Sequence, residues 1–161
     1  MCAQQRTCNH LVLLVGSNPF PNFLAALVLK PKAISLFYSR ETEEVKKYLL
    51  ERLKQKIHGI PIDEKYIEAA TCAARVREAF SSTPEGAHLH YTGGTKVMAA
   101  HARMAFAEAG GKDDHASYLD ERAGVLRFDD GYEIGLPKQN LESGLGNDKV
   151  IPNLTRKGGK P

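Results

Sequence analysis

Tryptophan is absent, and Phe and Tyr together make up only 7% of the 161 residues. An extended platform of stacking aromatics, of the kind that grips single-stranded nucleic acid, is therefore excluded. Cysteine is scarce: Cys2, Cys8 and Cys72 are too few and too irregularly spaced for a disulfide framework or a CxxC metal clip. No apolar run approaches the roughly 18–20 residues that span a bilayer. The opening MCAQQRTCNH has no basic stretch leading into an apolar core, so nothing marks secretion. These absences point to the cytoplasm and away from a membrane. Charge of one sign is also lacking. The formal net charge is +3, which suits a small polyanionic ligand but gives little hold on duplex nucleic acid.

What is present is ordinary for a globular domain: 42% apolar and 25% charged residues in a chain of single-domain length. The run HLVLLV over 10–15 is continuous and apolar, as in a strand buried on both faces. It stops at Gly16-Ser17-Asn18-Pro19. A short helix is expected from Asn22 to Lys30 and a second strand from Ala33 to Tyr38. Glu43 to Lys56 is the strongest helix signal. Val45, Tyr48, Leu49, Leu50 and Leu53 make its apolar face, and acids at its start and lysines at its end complement the dipole. A weak third strand is expected over Ile57–Ile62. A helix then follows over Glu64–Ser81, with Ile67, Ala70, Ala74, Val76 and Phe80 inward and Cys72 as a small buried apolar residue. Ala87–Tyr91 reads as the fourth strand and Val97–Ala109 as an alanine-rich helix. Ala116–Leu119, Gly124–Phe128 and Tyr132–Ile134 read as short strands, the last two joined by the hairpin turn Asp129-Asp130-Gly131. Strand and helix alternate four times before an antiparallel ending. That order predicts an α/β fold with a mostly parallel sheet flanked by helices and a C-terminal β-hairpin. The body spans 10–136, preceded by an N-terminal tail over 1–9. The Gly-, Pro-, Asn- and Lys-rich stretch 137–161 reads as a linker or disordered tail towards a further, missing domain.

In an open α/β sheet, ligands bind beyond the carboxyl ends of the strands. Three polar loops belong there: Gly16–Asn22, Ser39-Arg40 and Thr92-Gly93-Gly94-Thr95-Lys96. The first and third run from a strand straight into a helix, so exposed backbone N–H groups and a helix N-terminus face one cleft. Gly93 and Gly94 permit close backbone approach. Lys96 stands in a first helical turn, where the dipole disfavours a cation. A bound phosphate reverses that preference; the alternative is a glycine turn with a solvated lysine. Ser17 and Asn18 offer hydrogen bonds. Arg40 either clamps a phosphate or pairs with Glu43 or Glu44. GxxxxGK[ST] and GxGxxG are both missing, which argues against a triphosphate hydrolase and a dinucleotide enzyme. No GxSxG nucleophile elbow is present. His88 and His90 alternate on one strand face, but no third ligand has a metal-site spacing, so no metal is expected. His101 is expected to be solvated or packed against its neighbours.

LLVGSNPFPN after the first strand and HYTGGTKVMAAHA after the fourth together resemble the CARF domain, the CRISPR-associated Rossmann-fold sensor, over residues 10 to about 135. The resemblance implies a Rossmann-like fold and a homodimer that binds a cyclic oligoadenylate, four- or six-membered, across its two-fold axis, with no other cofactor. It also implies an antiviral sensor that switches an attached effector domain allosterically. Carried onto this chain, the ligand contacts fall to Gly16, Ser17, Asn18, Pro19 and Phe20. They continue with Thr92, Gly93, Gly94, Thr95, Lys96 and Met98, and more loosely with Ser39 and Arg40. Tyr91 stands where an asparagine is common in the family. Some CARF domains also cut their ring without metal. Lys96, Ser17 and Thr95 are the candidates for that chemistry here, although no general base is evident in these loops. A standalone ring nuclease and a generic α/β phosphate-binding module are the alternatives to a sensor.

Overall fold

The computed structural model describes residues 6–136. Four helices and seven strands alternate as β1 (Leu11–Leu14), α1 (Phe20–Leu29), β2 (Ile34–Tyr38), α2 (Glu43–Lys56), β3 (Ile62–Tyr66), α3 (Ala73–Phe80), β4 (His88–His90), α4 (Lys96–Glu108), β5 (Ala116–Asp120), β6 (Val125–Phe128) and β7 (Glu133–Gly135). Single 3-10 turns precede α2 and β5. All strands join one sheet in the order β3-β2-β1-β4-β5-β6-β7. The first five are parallel, and β6 and β7 return antiparallel as the hairpin.

Strand β1 lies inside the sheet, between β2 and β4, where its wholly apolar sequence has both faces covered. Leu11 and Leu13 enter a core with Ala25, Ala26 and Leu29 of α1 and Val45, Leu49 and Leu53 of α2. Val12 and Leu14 enter the opposite core with Val76 and Phe80 of α3 and Met98, Ala102 and Phe106 of α4. The sheet is thus doubly wound. Helices α1 and α2 cover one face, and α3 and α4 cover the other. The strand order reverses between β1 and β4, which is the topological switch point.

The structure moves the bounds of three elements. The third strand is Ile62–Tyr66 rather than 57–62, and α3 covers only Ala73–Phe80. Asp63, Glu64 and Lys65 look too charged for a strand, but β3 is an edge strand, where charges are tolerated and discourage unwanted pairing. Ile67 is buried as expected, at the end of β3 and not on a helix; its N–H donates to Tyr38 O. Ala74 is exposed, and Cys72 is exposed at the start of α3 rather than buried. Helix α1 begins at Phe20, two residues before the expected start.

Residues 6–9 lie against the body. The Arg6 guanidinium makes two hydrogen bonds to Asp130, at 3.0 and 2.6 Å, and its face rests on the Tyr132 ring. Cys8 is buried, and burial pushes its thiol up to about 12. The stretch expected to be a linker, 137–161, lies outside the described residues.

Candidate functional site

At the switch point the loops after β1 and β4 leave towards opposite faces, and they meet backbone to backbone above the strand ends. A Cβ on Gly16 would lie 2.4 Å from Gly94 N. A Cβ on Gly93 would lie 2.2 Å from Leu14 O, and one on Gly94 would lie 2.9 Å from Met98 Sδ. Gly93 has φ 144° and Gly94 φ 68°, values that side chains rarely adopt. At Gly93 glycine is therefore required twice over, by backbone conformation and by contact distance; at Gly94 conformation requires it, and at Gly16 contact distance.

Within this rim each expected residue has a definite place. Ser17 and Asn18 are exposed; Asn18 Oδ1 accepts the Phe20 N–H at 3.0 Å, an Asx turn that leaves the amide NH2 outward. Pro19 is buried, and Phe20 is half-buried against a small cluster of Leu24, Leu119 and Leu136. Thr92 Oγ1 accepts the Leu119 N–H at 2.6 Å and so ties the loop to β5. Thr95 is the N-cap of α4, accepting the Met98 N–H at 3.1 Å. Lys96 is exposed at the first position of α4. Met98 lies in the core beneath Gly94 and faces the rim only through that glycine. Ser39 is buried and forms a reciprocal cap with Thr42. Arg40 is exposed, and among the described residues neither Glu43 nor Glu44 forms an ion pair with it. Among the described residues, the unmet donors at the rim are thus the first N–H groups of α4 other than that of Met98, the Lys96 ammonium, the Asn18 amide and the Arg40 guanidinium. All are suited to anions.

Sequence reasoning missed two parts of the site. The loop 67–72, expected to be helical, also stands at the carboxyl end of the sheet, and His101 of α4 sits with Nε2 3.2 Å from Thr71 O. The edge-strand charge pattern of β3 is the signal that would have revealed it. The second is the part played by Asn22, read as the end of the first polar loop and a helix start but given no contact. Its side chain is fully buried at the crevice floor, with Nδ2 donating to Leu14 O at 2.7 Å.

The two strand histidines do share a face. His88 Nε2 and His90 Nδ1 lie 2.8 and 3.0 Å from the same Ser117 Oγ. Burial lowers both imidazoles to about 3, helped by His115 and Arg6 at His88 and by His88 at His90. They are neutral hydrogen-bonding groups within the sheet's α1–α2 face, away from the rim. Among the described residues no cluster of three His, Cys, Asp or Glu has metal-site geometry. Nor is any described helix long and apolar enough to cross a membrane.

A doubly wound sheet whose two glycine-bearing loops meet at its switch point defines a Rossmann-like fold. Solved structures share this fold. Can2 from Sulfobacillus thermosulfidooxidans, in complex with cyclic tetra-adenylate, matches with a TM-score of 0.67 at 22% identity, over 80% of this chain and 37% of Can2. Protein VC1899 from Vibrio cholerae matches with a TM-score of 0.67 at 11% identity, over 80% of this chain and 36% of VC1899. The chain thus spans just over a third of the length of these neighbours. No protein-family model matches the chain. No curated protein matches it either. The likeness establishes the fold: the mostly parallel, Rossmann-like sheet flanked by helices that the sequence leads one to expect.

Proposed function

We propose that this chain is a sensor domain that binds a cyclic oligoadenylate across a homodimer and thereby biases an attached effector domain. The observation that carries the reading is the meeting of Gly16 with Gly94 at the switch point, beside the open N-terminus of α4 and an unpaired Lys96. That arrangement offers fixed backbone N–H groups and one cation to a phosphodiester, with no side chain in the way. The neighbour Can2, solved in complex with cyclic tetra-adenylate, shares this fold over 37% of its length, which supports the ligand class.

A second copy of the chain is the natural completion of the site. Val97, Ala100, Met104 and Ala107 are all exposed and recur at helical spacing along α4, so one stripe of that helix is apolar and open. Because α4 starts at the rim, packing α4 on its symmetry mate sets two rims side by side. A ring with two-fold symmetry is then read half by each protomer.

Calorimetry against cyclic tri-, tetra- and hexa-adenylate, with linear adenylates as controls, tests the reading. The expected result is tight binding of the four- or six-membered ring, one ring per two chains. Binding of linear oligomers as tightly as rings, or of one ring by a monomer, overturns it. Chromatography of the same mixtures, with chelator present, shows whether the ring is also opened to a linear product ending in a 2′,3′-cyclic phosphate.

A further inference from the structure

Asn22 is fully buried, yet only half of its amide is used. Nδ2 donates to Leu14 O at 2.7 Å, while Oδ1 has no hydrogen-bond partner among the described residues. Leu14 is the last residue of β1, and β4 pairs with β1 only as far as His90, opposite Leu13. One residue further the two strands part to form the crevice. The Asn22 amide therefore stands where a β4 N–H would have continued the ladder, and it closes the floor of the crevice.

The orphan oxygen faces the glycine loop. A Cβ on Gly93 would lie 2.7 Å from Asn22 Oδ1, so the oxygen is close beside Gly93 and fills the space a side chain there would need. A buried acceptor without a donor is costly, and such groups are rare in folded proteins. The segment that abuts it is the most easily reoriented backbone in the rim. Gly93 and Gly94 both have positive φ, and a Gly-Gly peptide can rotate without moving a side chain.

We infer that Asn22 is a positioning residue for the Gly93–Gly94 segment: Nδ2 anchors β1, and Oδ1 accepts a backbone N–H of Gly93 or Gly94 when a ligand phosphate seats on the rim. Ligand binding then satisfies an acceptor that the free protein leaves unmet. The remaining loop N–H groups are held facing the phosphate. The inference rests on the cyclic oligoadenylate reading proposed above.

The test compares wild type with Asn22→Leu and Asn22→Asp, using cyclic tetra- and hexa-adenylate as probes. Leu fills the same space without either polar atom, and its expected effect is a loss of about tenfold or more in ring affinity, the scale of one hydrogen bond. Asn22→Asp keeps the Oδ1 acceptor but puts a second oxygen in place of Nδ2, which cannot donate to Leu14 O while ionised. It is expected to bind poorly at about pH 8 and to regain affinity near pH 5.5, where the introduced acid is protonated and donates as the amide did. Hydrogen exchange at ring saturation gives the readout that a purely structural role would not move. One of the Gly93 and Gly94 amides is protected in ring-bound wild type and Asn22→Asp at low pH, and loses that protection in ring-bound Asn22→Leu. Equal affinity and equal protection in wild type and Asn22→Leu overturn the inference alone. Failure of wild type to bind either ring overturns the ligand reading and the inference with it.

Discussion

Tyr91 Oη donates to Asp129 Oδ1 at 2.5 Å, and the other oxygen of that carboxylate receives Arg103 Nε at 2.7 Å. Tyr91 precedes the Thr92–Lys96 loop and Arg103 stands on α4, which follows it. A single carboxylate from the hairpin turn thus holds both stems of the glycine loop. Burial and the hydrogen bond to Asp129 raise the Tyr91 phenol above its ordinary range, so it stays a donor at all working pH values. Tyr91→Phe is expected to cost ~1.5–3 kcal/mol, as for a hydrogen bond to a charged group. Asp129→Ala is expected to cost more, because it also removes the partner of Arg103 Nε and leaves that guanidinium only Asp113. Urea melts of the two single variants and the double variant check this; equal losses would show that the stems are not tied through Asp129.

Lys96 is exposed and sits at the dipole's unfavourable end, so it contributes nothing to folding that its removal would take away. Lys96→Ala should leave the melting temperature unchanged. It should weaken ring binding by ~1.5–3 kcal/mol, the scale of a charge-assisted hydrogen bond. Unaltered affinity would remove Lys96 from the site.

The glycines of the rim are expected to differ in their tolerance of a methyl group. At Gly16 the clash is with Gly94 N, a backbone atom, so the loops must separate. Gly16→Ala should cost on the order of 2 kcal/mol and abolish ring binding. At Gly94 the obstacle is the end of the flexible Met98 side chain, and the main cost is the left-handed conformation, ~1–2 kcal/mol. Thermal melts and calorimetry on the two variants rank them.

Met104 is 60% exposed in the middle of the apolar stripe of α4. Met104→Glu places a charge there and, on the dimer proposed above, should give a monomer with lost ring affinity. Light scattering coupled to size exclusion reads the mass directly. A variant that stays dimeric would move the interface elsewhere.

His88 and His90 make stability depend on pH with a definite sign. Both are held neutral, at about 3, against an unfolded value near 6.5. Between those limits the unfolded chain binds more protons than the folded one. Stability is therefore fully present above about pH 6.5 and falls as pH drops towards 3, by up to ~1.4 kcal/mol per pH unit for each histidine. Urea midpoints measured from about pH 7.5 to 4 should show this slope. His90→Leu should make it shallower even though the variant is less stable at neutral pH.

Much of this protein was legible in one dimension because its signals are local. Apolar runs such as Leu11–Val15 marked the buried strands, the acid-to-lysine gradient marked α2, and Asp129-Asp130-Gly131 marked the hairpin turn. The glycine pairs and the proline-rich turn marked loops that must approach something closely. Edge strand β3 escaped because Asp63, Glu64 and Lys65 gain their places from being at an edge, and edge position is a property of the whole sheet. The pairing of β1 with both β2 and β4, and hence the crevice between loops more than 70 residues apart, also came only from the tertiary structure. So did the burial of Asn22 beneath Gly93, and the sharing of Asp129 by Tyr91 and Arg103. Hydrophobic periodicity tells each segment which side to bury; it carries no information about which distant backbone atom will lie against it. That is decided when the two cores close on the sheet together.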